Sequence, residues 1–384
     1  MSSTVSTSQL PRRALSTLGT GLFGLGVAVG SYGAVVSLLI DRGVAPDAAG
    51  FGMTLFLLTQ GLAALPADRL TRVMSVPRTC VLGFVLATLA ALVGGWATLP
   101  AALASRTLLG VGQGVAFVAA MKYVGRRVPD RTAAAQGLLG ALFTLGFAAG
   151  LAAAPALVRW NPVVPAVGAA ALIGVGAVGT ATLSGVRTEP PLPVAAYLAP
   201  LRSPTGLALG LGNMATFGFL MVAGTWYPDV LRGAGVPVTA TLVGFSLSTV
   251  VGRAVGGHLS ERVGDRRTVL VSFVGTAVVL SLLALALRTE APWLLVAAVV
   301  GTGLGFGVPF GPLFALAFSE LADDAGVTLV AMLLVGNVGA VVYPWLLGRT
   351  LLDTNSFALG FVAMAATVFG VSVLWMAAVG TETG

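Results

Sequence analysis

The chain has 384 residues, 57% of them hydrophobic and 9% charged, a balance too apolar to clothe a water-soluble surface. Its formal charge of +7 is spread along short connections and gathered in no basic domain, which excludes a nucleic-acid-binding protein. One cysteine, Cys80, and one histidine, His258, exclude an intrachain disulfide and cannot build a protein metal cage, so no metal or cofactor is expected.

In chain order, a Ser/Thr-rich start leads to Arg12 and Arg13, after which no charge occurs until Asp41. That run exceeds the ~20 residues a helix needs to cross hydrocarbon, and it is too long for a cleaved export signal. It is read as a first span. Apolar runs between charged or Pro/Gly breaks then predict an all-α membrane protein with twelve transmembrane helices. They lie near 15–40, 48–67, 77–98, 100–121, 133–157, 163–186, 206–228, 237–260, 268–287, 292–318, 327–349 and 356–380. Most connections are short. The exception is 187–205, whose prolines forbid a continuous helix and predict a cytoplasmic linker between two six-helix bundles, residues 1–186 and 206–384.

Positive residues are retained on the cytoplasmic side of a membrane, so alternate loops give the orientation. With both termini inside, the cytoplasmic set is Arg12, Arg13, Arg69, Arg72, Arg78, Lys122, Arg126, Arg127, Arg131, Arg187, Arg202, Arg262, Arg266 and Arg267. The outer set is Arg42, Arg159, Arg232, Arg288 and Arg349, five against fourteen. Trp96, Trp160, Trp226, Trp293 and Trp345 then fall near the outer interface, as an aromatic belt would. One inner loop dissents, because Glu320, Asp323 and Asp324 make it acidic.

A shift of 193 residues lays Asp68-Arg69 on Glu261-Arg262, Gly110, Gly112 and Gly114 on Gly303, Gly305 and Gly307, and Gly146 on Gly339. One offset near half the chain length, shared by separate segments, predicts two bundles in parallel repeat. The Gly-x-Gly-x-Gly runs follow no strand and precede no Lys-Ser/Thr pair, so close helix packing explains them better than a nucleotide loop does.

Two arginines, Arg106 and Arg253, lie inside predicted spans, and no Asp or Glu lies near the middle of any span. A cation at depth faces a bundle interior or a wet cavity, where it needs acceptors or an anion. Ser246, Thr249 and Arg253 share one helix face, and a guanidinium fork matches a carboxylate or small oxyanion. Arg106 lies about two turns into its span, where snorkelling to the outer surface is open to it, with Gln113 seven residues on. Tyr32, Asn213 and Thr216 are further polar groups that either line a cavity or join helices. His258, at the inner end of span eight, reads as interfacial decoration or as a pH sensor.

Twelve spans, a central linker and the repeat resemble the major facilitator superfamily over essentially the whole chain. Gly257-His258-Leu259-Ser260-Glu261-Arg262-Val263-Gly264-Asp265-Arg266-Arg267 looks like that superfamily's signature between the second and third helices of a half. Ala64-Leu65-Pro66-Ala67-Asp68-Arg69-Leu70-Thr71-Arg72 is its degraded first-half copy. Arg106 to Gly114 is similar to the family's arginine and glycine pattern in the fourth helix, and Gly137, Gly146 and Gly150 have a spacing seen in exchangers, without the usual Gly-Pro ending. Arg253-Ala254-Val255-Gly256-Gly257 and Gly336-Asn337-Val338-Gly339-Ala340 resemble the nitrate/nitrite and cyanate-type porters. Those porters have a second arginine where the shift carries Arg253 onto Gln60, which puts nitrate itself in doubt.

The resemblance implies alternating access around a midplane site. A secondary active or facilitated transporter of a small solute is therefore expected in the cytoplasmic membrane, with an anion or carboxylate preferred. Without midmembrane carboxylates to relay protons, uniport or exchange is favoured. Substrate contacts are expected at Arg253, Gln60, Asn337, Asn213, Arg106, Gln113, Tyr32 and Thr249, and an inner gate at Asp68, Arg69, Arg72, Glu261, Arg262, Asp265, Arg266 and Arg267. Asp265 could also cap the ninth span. The rival readings are a drug or metabolite efflux exchanger and a non-transporting membrane sensor or assembly factor. No nucleophile-base pair or metal set lies in the spans, so an enzyme is not expected. The expected partners are the solute and the bilayer, with the protein a monomer.

Overall fold

The computed structural model describes residues 9–128, 132–185, 189–321 and 324–379, and Arg131, Arg187 and Asp323, used above, lie outside them. Twelve helices among the described residues are long and apolar enough to cross a membrane. They are α1 Arg12–Asp41, α2 Pro46–Val73, α3 Val76–Gly94, α4 Leu99–Arg127, α5 Ala135–Trp160, α6 Val163–Ala181, α7 Pro204–Gly233, α8 Val238–Val263, α9 Asp265–Arg288, α10 Pro292–Glu320, α11 Ala325–Thr354 and α12 Ala358–Ala378. The connection before α7 carries a short helix, Val194–Leu198, which sequence reading did not separate from the linker.

Neighbour relations repeat across the chain. In the first six helices, α1 packs on α5 and α6, α2 on α4, and α3 on α4 and α6. In the last six, α7 packs on α11 and α12, α8 on α10, and α9 on α10 and α12. Glycine positions fit this repeat atom by atom. A methyl group at Gly110 or Gly114 would run into the α2 backbone at Phe56 or Gln60, and one at Gly112 into Gly83 and Ala87 of α3. At Gly303 and Gly307 it would meet α8, and at Gly305 it would meet Thr276 of α9. Gly146 and Gly150 are likewise needed where α5 touches the carbonyls of Phe23 and Val27 on α1, whereas Gly137 has open space. With lipid outside, such close approach of backbones is what holds helices together.

Four spans are interrupted. In α1 the regular helix breaks at Ser31, whose Oγ donates back to the Val27 carbonyl at 2.7 Å, a bond that bends helices. α7 contains a π-turn over Met214–Gly218, directly after Asn213. α10 breaks at Val308-Pro309 and α11 at Val341, three residues before Pro344, because proline supplies no N–H to the preceding turn. Other helix ends are ordinary: Gly264 at φ +86° makes the α8–α9 turn that a side chain would strain. The cap expected from Asp265 does not form, since Gly264 occupies the cap position and no side chain caps α9.

The expected tryptophan belt is incomplete. Trp96, Trp160, Trp293 and Trp345 are exposed, but Trp226 is fully buried and donates its Nε1–H to the Pro344 carbonyl at 3.0 Å. It serves the contact between the two halves, because at that point α7 packs against α11 and Gly50 of α2.

Candidate functional site between the two halves

The ends of the bundle are distinguished here as the terminal face, where α1 begins and α12 ends, and the opposite face. At the terminal face, α2 of the first half reaches α11 of the second. Asp68 is fully buried there and accepts from Arg72 Nε at 2.6 Å, from Tyr197 Oη at 2.6 Å and from Lys122 Nζ. Arg72 reaches on to the second half, donating Nη2–H to Asp324 Oδ2 at 2.7 Å and Nη1–H to the Pro190 carbonyl at 3.1 Å. Glu189 closes the ring, 3.1 Å from Arg72 and 2.7 Å from Arg126.

Asp324 is bound from two sides, because its Oδ1 also accepts from the Gly326 and Val327 N–H groups and so caps α11. Burial opposes its charge, yet the Arg72 bond prevails and holds its carboxyl below the usual carboxylate range. Burial, reinforced by the bond to Asp68, pushes the Tyr197 hydroxyl up.

The other expected gate residues lie apart from this cluster. Arg69, Glu261, Arg262 and Arg267 are exposed. Asp265 is half-buried in the first turn of α9, and Arg266 donates to Glu320 at 2.8 Å within the second half. The acidic loop that dissented from the charge pattern thus supplies counter-charges for Arg72 and Arg266.

At the opposite face the halves are closed by different groups. Ser37 Oγ donates to Asp229 Oδ1 at 2.7 Å, Arg232 pairs with Asp41 at 3.2 Å, and Thr54 Oγ1 donates to the Val341 carbonyl at 2.7 Å. These ties join α1 to α7 and α2 to α11, and Trp226, bonded to Pro344 within the second half, packs on Gly50 of α2. Both ends of the interface are thus bridged by contacts between the halves.

Between the two closures lie polar groups without partners. Gln60 Oε1, both side-chain polar atoms of Gln113 and of Asn337, Asn213 Oδ1 and Ser246 Oγ are buried and unbonded within the protein. Asn337 meets α2 at Gly61, the residue after Gln60, since a Cβ at Gly61 would stand 3.2 Å from that of Asn337. Asn213 joins the same level from α7, donating Nδ2–H to the Met332 carbonyl at 3.0 Å and packing on Gly336. Unsatisfied buried amides are costly and mark places where water or a ligand belongs.

Arg253 occupies the α5–α8 junction. Its Nη1–H donates across the halves to the Gly140 carbonyl at 3.2 Å, its Cζ lies 3.8 Å from the Phe310 ring centre, and its Nε has no partner. No ion pair involving Arg253 occurs among the described residues. Thr249 instead donates to the Phe245 carbonyl of its own helix at 2.8 Å.

Arg106 does not snorkel; it turns inward under α1, donating to the Ala28 carbonyl at 3.1 Å with its Cζ 4.7 Å from the Tyr32 ring centre. Tyr32 donates to the Ala49 carbonyl at 2.7 Å, and Thr216 to that of Asn213 at 3.2 Å. The structure therefore sets Asn213 against α11 and Asn337 against α2 at Gly61, puts Arg253 at a second cross-half contact, and keeps Arg106 and Tyr32 within the first half. Sequence reasoning passed over Tyr197, Glu189 and Asp229. It placed Lys122 and Asp324 only in charge counts, although Lys122 is the chain's single lysine and Tyr197 an isolated aromatic in a proline-rich stretch.

The sequence profile described as Major Facilitator Superfamily matches residues 17–344. A 148-residue segment is 30% identical to the "Probable nitrate/nitrite transporter NarK2" of Mycobacterium tuberculosis, covering 37% of this chain and 36% of that protein. A 159-residue segment is 29% identical to the "Cis,cis-muconate transport protein" of Acinetobacter baylyi, covering 40% of this chain and 37% of that protein. The chain thus spans little more than a third of the length of the curated relatives it matches.

Proposed function

The chain belongs to the major facilitator superfamily, and we propose that it carries a small anion or carboxylate across the cytoplasmic membrane by alternating access. The observation that carries this reading is Arg253, a guanidinium at the contact of the two halves that is bonded only to a carbonyl and an aromatic face. A cation so placed is stabilised by an anion that can take both prongs of its fork. The unpartnered side-chain N–H groups of Gln113 and Asn337 supply donors that need no fixed charge. Nitrate, nitrite and cis,cis-muconate, for which the two relatives are named, are anions, which supports the same class.

The two closures support alternating access. Opening the terminal face must break Arg72–Asp324 and the Arg253–Gly140 contact; opening the opposite face must break Ser37–Asp229, Arg232–Asp41 and Thr54–Val341. Because Arg253 lies in one of these contacts, an anion on its guanidinium competes with the Gly140 carbonyl and so couples binding to movement. The excess of Lys and Arg at the terminal face supports a cytoplasmic position for that face. Exchange or uniport suits a site without a carboxylate relay.

The test is uptake and counterflow in proteoliposomes with nitrate, nitrite, cyanate, cis,cis-muconate and simple monocarboxylates. Arg253→Lys keeps the charge and loses the fork, so the KM for the accepted anion should rise by about tenfold or more, as expected for a lost charge-assisted hydrogen bond. Transport of none of these anions, or unaltered kinetics in Arg253→Lys, would count against the reading.

A further inference from the structure

The first half contains a second buried guanidinium with no counter-ion, and it sits beside a cavity of its own. Arg106 is 6% exposed, and no ion pair involving it occurs among the described residues. Its Nη1–H has the Ala28 carbonyl, its face rests on Tyr32, and its Nε–H is unpartnered. The adjoining cavity, about 30 Å³, lies among α1, α3, α4 and α6 and is lined by Ser31, Tyr32, Ser105, Arg106 and apolar groups, all from the first half. Gly52 on α2 keeps this arrangement possible, because a methyl group there would strike the Tyr32 hydroxyl and stand 3.2 Å from Arg106 Cγ.

The chemistry of the lining is one-sided. The hydroxyl hydrogens of Ser31, Tyr32 and Ser105 are committed to the carbonyls of Val27, Ala49 and Ala90. The guanidinium is the donor left for whatever fills the space. A buried cation with only neutral acceptors carries most of its desolvation cost uncompensated, and a neighbouring anion removes it. The volume exceeds the ~10–15 Å³ that one water requires but leaves no room for an organic acid. We infer that this cavity binds a small inorganic anion of halide size, which neutralises Arg106 and ties α1 to α4. The site is separate from the solute path, because no residue of the second half lines it, and it stands whether or not the carrier moves anions.

The experiment follows thermal unfolding of the purified full-length protein while sodium gluconate is replaced by sodium chloride at constant ionic strength. The midpoint should rise by roughly 2–4 °C, the size of shift that saturating a site in the native state gives. The rise should vanish in Arg106→Gln and persist in Arg253→Gln. No chloride dependence in the unaltered protein would mean that water suffices and would overturn the proposal. So would a rise retained in Arg106→Gln, or one lost in Arg253→Gln, which would assign the ion to the contact between the halves. Should Arg106→Gln not fold, crystals of the unaltered protein grown in bromide decide the matter. An anomalous peak within hydrogen-bond reach of Arg106 Nε is expected, and its absence refutes the site.

Discussion

Asp324→Asn should unlatch the terminal face without disturbing α11. Asp324 Oδ1 caps that helix through Gly326 and Val327, and Asn keeps an oxygen for this role at little cost. What is lost is the charge facing Arg72 at 2.7 Å. A hydrogen bond between charged groups contributes about 1.5–3 kcal/mol. Here the Asp324 side chain is 29% exposed and Arg72 retains Asp68 and Glu189, so screening and the remaining carboxylates reduce the loss to about 1–2 kcal/mol. The pair exists only while this end is shut, so the whole loss falls on the closed state. Conformers open at the terminal face should gain about 5–30-fold in population.

Cysteine alkylation reads that population. In a Cys80→Ala background, Val330→Cys places a thiol in the buried cluster of Ala64, Ala67, Val118 and Tyr197 beneath the lock. Labelling by a maleimide supplied from the terminal face should accelerate by the same factor when Asp324→Asn is added, since access requires opening. Equal labelling rates with and without the substitution would show that the pair contributes nothing to closure and would refute the reasoning.

Tyr197→Phe removes one donor from Asp68 while leaving Arg72 and Lys122, so about 1 kcal/mol of closure should be lost and labelling should quicken roughly fivefold; an unchanged rate would reduce the linker tyrosine to packing. Because the folded Asp324 carboxyl titrates below its ordinary range, its contribution is fully present above the unfolded value of about 3.9 and is lost as pH falls through the depressed folded value. Labelling, corrected for the thiolate fraction of the probe cysteine, should therefore stay flat from about pH 7 to 5 and rise only in stronger acid, and a corrected rise between about pH 7 and 6 would contradict the assignment. Gly256→Ala places a methyl group on the Val308 carbonyl and should cost about 1–3 kcal/mol. Gly257→Ala, with open space around it, should be neutral, and identical unfolding midpoints for the two variants would contradict the packing argument.

Much of this protein is fixed by composition and order along the chain. Charge-free runs longer than a bilayer is thick leave a backbone no choice but helix, so twelve spans can be counted from the sequence. The offset of 193 residues was legible because glycines recur where backbones touch, and Gly110, Gly112 and Gly114 meet α2 and α3 as Gly303, Gly305 and Gly307 meet α8 and α9. The buried arginines were legible too, since charge is rare enough in an apolar chain to stand out. What each charge faces was not. The intact signature at Glu261 to Arg267 drew attention by its residues, yet the cross-half ion pair forms on the degraded copy, because α2 meets α11 and brings Arg72 to Asp324 from 252 residues away. Trp226 and Arg106 show the same limit: each reads as an interfacial residue by its place in a span, and each is buried because of which neighbour its helix meets. Sequence determines the helices and their repeat through local hydrophobicity and spacing; only the tertiary structure decides which carboxylate closes which end, because a helix face acquires its partner when the bundles assemble.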